Sequence, residues 1–234
     1  LEKIKKEPGV KTTSLAGSLR RRKETIGDVD ILAVAKNSEK VMDFFVSLPG
    51  VEKVWGKGKT KASVHMRDGF DMDLRIVPEK SYGAALQYFT GNKDHNVVTR
   101  KIAIDKGLKL SEYGVFRGLE MIAGKTEEEV YKAIGLPYIE PELRENEGEI
   151  EAGLNKKLPK IVEIKDIKGD LHCHSNWDGG ADSIEEMARS AMDLGYEYIG
   201  ISDHTKFLRI ERGLNENQLL KQREAIKKIN EKLK

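Results

Sequence analysis

Apolar and polar positions alternate with a period of two over much of the first third of the chain, the pattern of half-buried strands. It predicts strands over 10–16, 29–35, 51–55, 61–66 and 70–77, the second being a near-continuous apolar run and so more deeply buried. Asn37 or Ser38 is placed to cap a helix through Leu48, which Pro49-Gly50 ends. Asp68-Gly69 is a hairpin-turn signal between the last two strands. From Tyr82 onward the spacing turns helical, over 82–88 and again over 96–105. A mixed or antiparallel sheet with helices on one side is the expected result.

The stretch 110–151 reads as an appendage. Thr126-Glu127-Glu128-Glu129 has capping-box spacing, and the short helix it opens should stop near Gly135-Leu136-Pro137. Residues 140–151 are acidic and aperiodic, which predicts a linker or extended loop. A β-α-β-α rhythm follows: a strand over 168–172, a helix opened by Ser183, a strand over 198–202, and a basic amphipathic helix capped by Asn215. That is how a parallel-sheet or barrel domain begins, yet the 67 residues from 168 on cannot close a barrel of roughly 200 residues. The expectation is therefore a domain cut short, of low stability after about residue 155.

Composition narrows the class. With 34% of its 234 residues charged and only short apolar runs, the chain has no candidate membrane-spanning helix, and its N-terminus lacks a signal-peptide layout. The single cysteine, Cys173, excludes an intramolecular disulfide framework. The net charge of +2 conceals an uneven distribution: 23 Lys+Arg against 15 Asp+Glu over 1–117, 3 against 9 over 118–149, and 15 of each beyond. A basic first half suits a polyanionic partner, and equally an ordinary solvated surface.

The candidate chemistry lies in that first half. Gly17-Ser18 follows a strand and opens a turn containing Arg20, Arg21 and Arg22; ten residues after Ser18, Gly27-Asp28-Val29-Asp30 starts the next strand. Positions i and i+2 of a strand share a face, which pairs Asp28 with Asp30 and, on a later strand, Asp71 with Asp73. If those strands are neighbours, two or three carboxylates meet and need a cation to offset their repulsion. Mg²⁺ suits such a site, and two ions about 4 Å apart would serve phosphoryl or nucleotidyl transfer. The amides after Gly17, the Ser18 hydroxyl and Arg21 could hold phosphates.

These motifs resemble the nucleotidyltransferase palm, and more narrowly that of X-family DNA polymerases of the polymerase beta type. Tyr88-Phe89-Thr90-Gly91, followed by Asn96 and Arg100, is the more specific match, and the similarity runs from about Val10 to Tyr138. The resemblance implies an α+β nucleotidyltransferase palm over 1–81 and a small α/β nucleotide-selection subdomain over 82–151. It implies that Asp28, Asp30 and Asp73 are catalytic and bind Mg²⁺ or Mn²⁺, with Asp73 near the primer 3′ hydroxyl. Gly17, Ser18, Arg21, Gly27, Tyr88, Phe89, Gly91 and Asn96 would form the nucleotide site. Ser18 and Arg21 would lie on the β- and γ-phosphates, Tyr88 near the sugar 2′ position, Asn96 at the base and Arg100 on the template. The implied partners are gapped or primed DNA, a dNTP and other base-excision repair proteins, in a bacterial or archaeal cytoplasm. The site alone would equally allow a nucleotidyltransferase acting on RNA or a small molecule.

Three of the five histidines, His172, His174 and His204, sit at the ends of two strands one β-α-β unit apart, a pattern that suits Zn²⁺, Mn²⁺ or Fe²⁺. Asp170-Leu171-His172-Cys173-His174-Ser175 and Ile201-Ser202-Asp203-His204 resemble the start of a polymerase-and-histidinol-phosphatase (PHP) domain, a metal-dependent phosphoesterase on an α/β barrel. The resemblance implies a linker over 152–167 and a truncated PHP-type segment over 168–234, with His172, His174, His204 and Asp178 as ligands of Zn²⁺ or Mn²⁺. Its later ligand motifs would lie past Lys234, so no phosphoesterase activity is expected. The alternative is a DNA-binding scaffold whose complete form is a 3′-end phosphoesterase. Trp55, His65 and Cys173 are expected to be structural, and His95 to lie in a solvated loop.

Overall fold

The structure, a computed structural model, describes residues 1–206 and 213–233. It divides into two units, 1–159 and 160–234.

The first unit opens with a helical turn, α1 (Glu2–Lys5), then β1 (Val10–Leu15), the turn α2 (Gly17–Arg20) and β2 (Asp28–Ala35). Helix α3 (Ser38–Val46) follows, capped by the Asn37 side chain on the Lys40 amide. Strands β3 (Val51–Lys57), β4 (Lys61–Met66) and β5 (Asp71–Ile76) complete a mixed sheet of order β1-β2-β5-β4-β3. The period-two pattern becomes physical here. Ile31 and Ala33 of β2, Ala62 and Val64 of β4, and Leu74 and Ile76 of β5 all bury against Val41, Met42 and Phe45 of α3 and Ile4 of α1. The alternate residue Leu32 turns to the other face and packs on Ala85 and Leu86.

Those two alanine and leucine positions belong to α4 (Tyr82–Thr90), which is followed by α5 (Lys93–Asp105). Helix α5 starts three residues earlier than its spacing predicts, because the Asn92 side chain accepts from the His95 amide at 2.8 Å and caps it. A small antiparallel sheet, β6 (Lys109–Ser111), β7 (Gly114–Arg117) and β8 (Glu120–Ala123), then packs on the helices. Its strands are too short for periodicity to reveal them. Helix α6 (Glu127–Ala133) is capped by Thr126 and ends at the left-handed Gly135. Helix α4 lies so close to the start of α6 that a Cβ on Gly83 would fall 2.1 Å from the Thr126 carbonyl carbon; only glycine fits there.

The acidic stretch 140–151 is not the expected linker. Its Ile150 joins the core of Val115, Val130, Tyr131 and Ile134, with Leu143 packed against it, and α7 (Glu149–Leu154) follows a 3-10 turn at Pro141–Leu143. Part of its charge is paired internally: Arg144, fully buried, donates to Glu127 at 2.6 Å, and buried Glu149 accepts from His95. The boundary between the units falls after Pro159, within residues 152–167. A run of acidic residues reads as solvated in sequence, and only the presence of distant basic partners makes it foldable.

The second unit contains β9 (Gly169–Cys173), α8 (Ile184–Asp193), β10 (Tyr198–Ile201) and α9 (Glu216–Lys232). Strands β9 and β10 are parallel, as the β-α-β rhythm predicts, and capping boxes at Ser183/Glu186 and Asn215/Gln218 start both helices. Among the described residues this unit has a two-stranded sheet; Leu171 and Leu194, about 70% exposed, remain uncovered.

Candidate active site

Strands β2 and β5 run parallel in register, setting Asp28 beside Asp71 and Asp30 beside Asp73. These carboxylates occupy the face opposite the α3 core, at the strand ends where β2 emerges from the loop after α2. Burial, then Asp28 and Asp73 in turn, push the Asp30 carboxyl up to about 6. Lys61 of β4 offsets part of this charge, with its Nζ 2.7 Å from Asp73 Oδ2. A set of oxygen donors strained by mutual repulsion is what a hard divalent cation relieves, so these residues fit Mg²⁺ or Mn²⁺. Asp71 is held elsewhere, accepting from the Trp55 indole N–H at 3.0 Å and lying 2.6 Å from His65 Nδ1.

Gly17 stands directly against this set. Its φ is +61°, and a Cβ there would lie 2.4 Å from Asp30 Oδ2. A cleft of about 400 Å³ opens beside it, lined by Gly17, Ser18, Arg21, Asp28 and Asp30 on one side and by Tyr88, Phe89, Gly91, Asn96 and Arg100 on the other. Tyr88 and Phe89 meet edge to face with centroids 5.1 Å apart; Arg75 lies 4.3 Å from the Phe89 ring and Arg100 5.8 Å from that of Tyr88. The Gly91–Asn92 peptide is cis. Arg20 turns away from the cleft to a two-point contact with Glu127, at 2.9 and 2.6 Å, and donates to Thr90 Oγ1 at 2.7 Å. Arg21 remains at the wall, donating to Glu145 and to the Thr90 carbonyl.

In the second unit, His174, Asp178 and His204 bring ligating atoms within 4.8 Å of one another. Asp178 Oδ2 is 2.9 Å from His174 Nδ1 and 3.0 Å from His204 Nδ1, and accepts from the His204 amide at 2.7 Å. Burial raises the Asp178 carboxyl, but these hydrogen bonds outweigh it and hold it well below the usual range. Two imidazoles and a carboxylate suit Zn²⁺ or Mn²⁺. Asp203 is occupied structurally, by Ser175 and by Gln222 of α9.

Comparison with known proteins agrees with the first unit's geometry. The family described as the DNA polymerase beta thumb matches residues 85–145. The DNA polymerase/3′-5′ exonuclease PolX of Bacillus subtilis is 38% identical over 221 residues, covering 93% of this chain and 38% of that protein. Rat DNA polymerase lambda is 30% identical over 55% of this chain and 28% of its own length. Repair DNA polymerase X of African swine fever virus is 29% identical, over 55% of this chain and 78% of the viral protein. The crystal structure of Leishmania infantum polymerase beta, a ternary P/T complex, superposes with a TM-score of 0.51 at 26% identity, over 57% of this chain and 67% of that one. The chain is similar to X-family DNA polymerases of the polymerase beta type. It spans well under half the length of the bacterial and rat relatives.

Within this polymerase beta-like unit the structure gathers most of the sequence-derived site at one cleft, with three departures. Gly27 is exposed, has open space around it and does not line the cleft. The Asn96 amide is already satisfied, donating to the Tyr88 carbonyl and accepting from Gln87, both at 2.7 Å; here it braces the cleft wall. His95 is fully buried, not solvated, because the earlier start of α5 turns it inward between Glu149 Oε1 at 2.6 Å and the Tyr131 hydroxyl at 2.8 Å. Burial lowers its pKa and keeps the imidazole neutral at neutral pH. In the second unit His172 is exposed and outside the close cluster, its ring centroid 5.1 Å from that of His174. Lys61 and Glu145 were not legible as site residues, since each is recognised only by its partner on a different element.

Proposed function

We propose that the first unit is the catalytic core of a template-directed DNA polymerase that adds a dNTP to a primer 3′ hydroxyl, filling gaps in base-excision repair. The observation that carries this reading is the in-register pairing of Asp30 with Asp73, with Asp28 two residues away, at the mouth of the Arg21 and Tyr88-Phe89 cleft. Asp28, Asp30 and Asp73 would hold divalent cations, which supply charge neutralisation and activation of the attacking hydroxyl. Asp73 accepts the proton of the 3′ hydroxyl; the oxygen attacks the α-phosphorus, and the bond to the departing pyrophosphate breaks. Ser18 and Arg21 bind the β- and γ-phosphates, so the charge that develops on the leaving group meets a guanidinium. Tyr88 and Phe89 close the sugar side, and Arg100 contacts the template strand.

The test is single-nucleotide extension of a one-nucleotide-gapped DNA with Mg²⁺ or Mn²⁺. Template-matched addition is expected, and Asp73→Ala should lower it by about 10³-fold or more. Extension indifferent to the templating base would favour a nucleotidyltransferase of another kind, and an unaffected variant would remove Asp73 from the chemistry.

The close set of His174, Asp178 and His204 favours a second reading for the other unit, the beginning of a PHP metal site with His172 at its rim. The bacterial relative's name includes a 3′-5′ exonuclease, which is consistent with this chemistry. Calorimetric titration with Mn²⁺ or Zn²⁺ should show a binding event, separate from that of the palm, that Asp178→Ala weakens at least tenfold. Binding unchanged by the substitution would mean that the two histidines and the carboxylate form a purely structural cluster.

A further inference from the structure

The guanidinium of Arg21 is held at two of its three nitrogens. Its Nε donates to Glu145 Oε1 at 2.8 Å and its Nη1 to the Thr90 carbonyl at 2.5 Å. Among the described residues no protein group accepts from Nη2, although Arg21 lines the cleft. The second oxygen of Glu145 accepts from Asn92 Nδ2 at 2.9 Å, and Lys23 lies 3.6 Å from the first. Burial raises the Glu145 carboxyl, but the bonds and charge of Arg21 prevail and hold it below the ordinary range, so it is ionised at neutral pH.

Glu145 is itself rigidly placed. The residue before it, Arg144, is fully buried on Glu127 and the Ile139 carbonyl, and its own carbonyl accepts from the Asn92 amide at 2.9 Å. The amides just after it, at Asn146 and Glu147, donate to the buried Glu149 carboxylate at 3.0 and 2.9 Å. A carboxylate fixed on both sides in this way can orient a flexible arginine without moving itself. It also removes much of the rotamer freedom that an unrestrained arginine would lose on meeting a phosphate.

We propose that Glu145 is a positioning residue for the incoming nucleotide: by holding Arg21 at Nε, with the Thr90 carbonyl on Nη1, it fixes the guanidinium so that Nη2 is left to the β- and γ-phosphates. This rests on the reading of Arg21 as a phosphate ligand given above. The acidic segment after α6 thus acts on triphosphate affinity while touching no part of the substrate.

The test is steady-state extension on one-nucleotide-gapped DNA with the full chain, comparing Arg21→Ala, Glu145→Ala, Glu145→Gln and the double Arg21→Ala/Glu145→Ala. Arg21→Ala should raise KM for the dNTP by more than about tenfold. Glu145→Ala should raise KM by about tenfold with kcat changed less than about threefold, and Glu145→Gln, which keeps an acceptor for Nε–H, should recover most of that loss. In the Arg21→Ala background the Glu145 substitution should have no further effect, since its influence runs through the guanidinium. Should Glu145→Ala unfold at the assay temperature, the glutamine variant carries the same comparison, with a KM increase that vanishes when Arg21 is absent. A raised KM for Arg21→Ala alone, with both Glu145 variants at wild-type KM, overturns the proposal and leaves the phosphate reading standing. Effects that add in the double variant overturn it as well. An unchanged KM for Arg21→Ala instead removes the phosphate reading on which the proposal rests.

Discussion

Replacing Asp30 with asparagine is expected to abolish nucleotide addition, by at least about 10³-fold, and at the same time to stabilise the metal-free protein above pH 6. The two effects share one cause. Asp30 is crowded by Asp28 and Asp73 and partly buried, and its carboxyl is raised to about 6 in the folded state, against 3.8 as its ordinary value. The folded chain therefore holds this proton more tightly than the unfolded one. The stability that this contributes is fully present below about pH 4 and is lost as pH rises through about 6. Above that, the ionised carboxylate opposes folding by something on the order of 1 kcal/mol, after allowance for its partial exposure to solvent. Asparagine removes the opposing charge and with it the charge that a divalent cation needs. Thermal unfolding at pH 5 and pH 8 in EDTA should show a wild-type Tm that falls between the two values and a variant Tm that does not. Adding Mg²⁺ at pH 8 should raise the wild-type Tm and leave the variant unmoved. A variant as active as the wild type, or a wild-type Tm insensitive to pH over this range, would count against the reading of Asp30.

Glu127→Ala is expected to be the most destabilising single change in the first unit. The Glu127 carboxylate is buried between Arg20 and Arg144, within 2.9 Å of both. Arg144 is fully enclosed, its guanidinium 5.1 Å from the Tyr131 ring and 5.4 Å from that of Tyr138, and among the described residues its Nη2 already lacks a partner. Alanine at position 127 would leave this cation buried without its counter-charge, a defect that costs about 3–5 kcal/mol. For a domain of this size that corresponds to a Tm lowered by roughly 10 °C or more. Arg20 would also lose its two-point anchor, and its hydrogen bond to Thr90 would be left as its hold on the cleft wall. The pH dependence has the opposite sign to that of Asp30. Burial raises the Glu127 carboxyl, but Arg20 and Arg144 outweigh it and lower its pKa below 4.5. Its contribution is therefore complete above about pH 4.5 and is lost as pH falls through the lowered value. Urea unfolding at pH 7 and pH 4, for wild type and variant, measures both effects; a variant within about 1 kcal/mol of wild type at pH 7 would show that the buried arginine finds another partner.

The short-range features were legible in the chain. The i, i+2 spacing of Asp28 with Asp30 and of Asp71 with Asp73 follows from the pleat of a strand and needs no tertiary information. The caps at Asn37, Thr126, Ser183 and Asn215 are equally local, each a side chain bonding an amide three residues away. Residues 140–151 were misread for the converse reason. Their acidity is a solvation signal only while their partners are unknown, and those partners, Arg21, Arg22 and His95, lie 50 or more positions earlier. The strands of residues 109–123 escaped because three or four residues cannot display a period.

What the sequence by itself determined was the set of parts: carboxylates paired on strand faces, a glycine-serine turn with arginines, an aromatic pair before a glycine, and histidines at two strand ends. Only the tertiary structure decided which parts meet. It placed β2 beside β5 so that Asp30 faces Asp73, brought Glu145 to Arg21, and drew Asp178 rather than His172 into the tight cluster with His174 and His204. The physical reason is that backbone geometry sets the direction of a side chain within a few residues. Its neighbour across a sheet or a domain is chosen by burial and charge pairing summed over the whole fold.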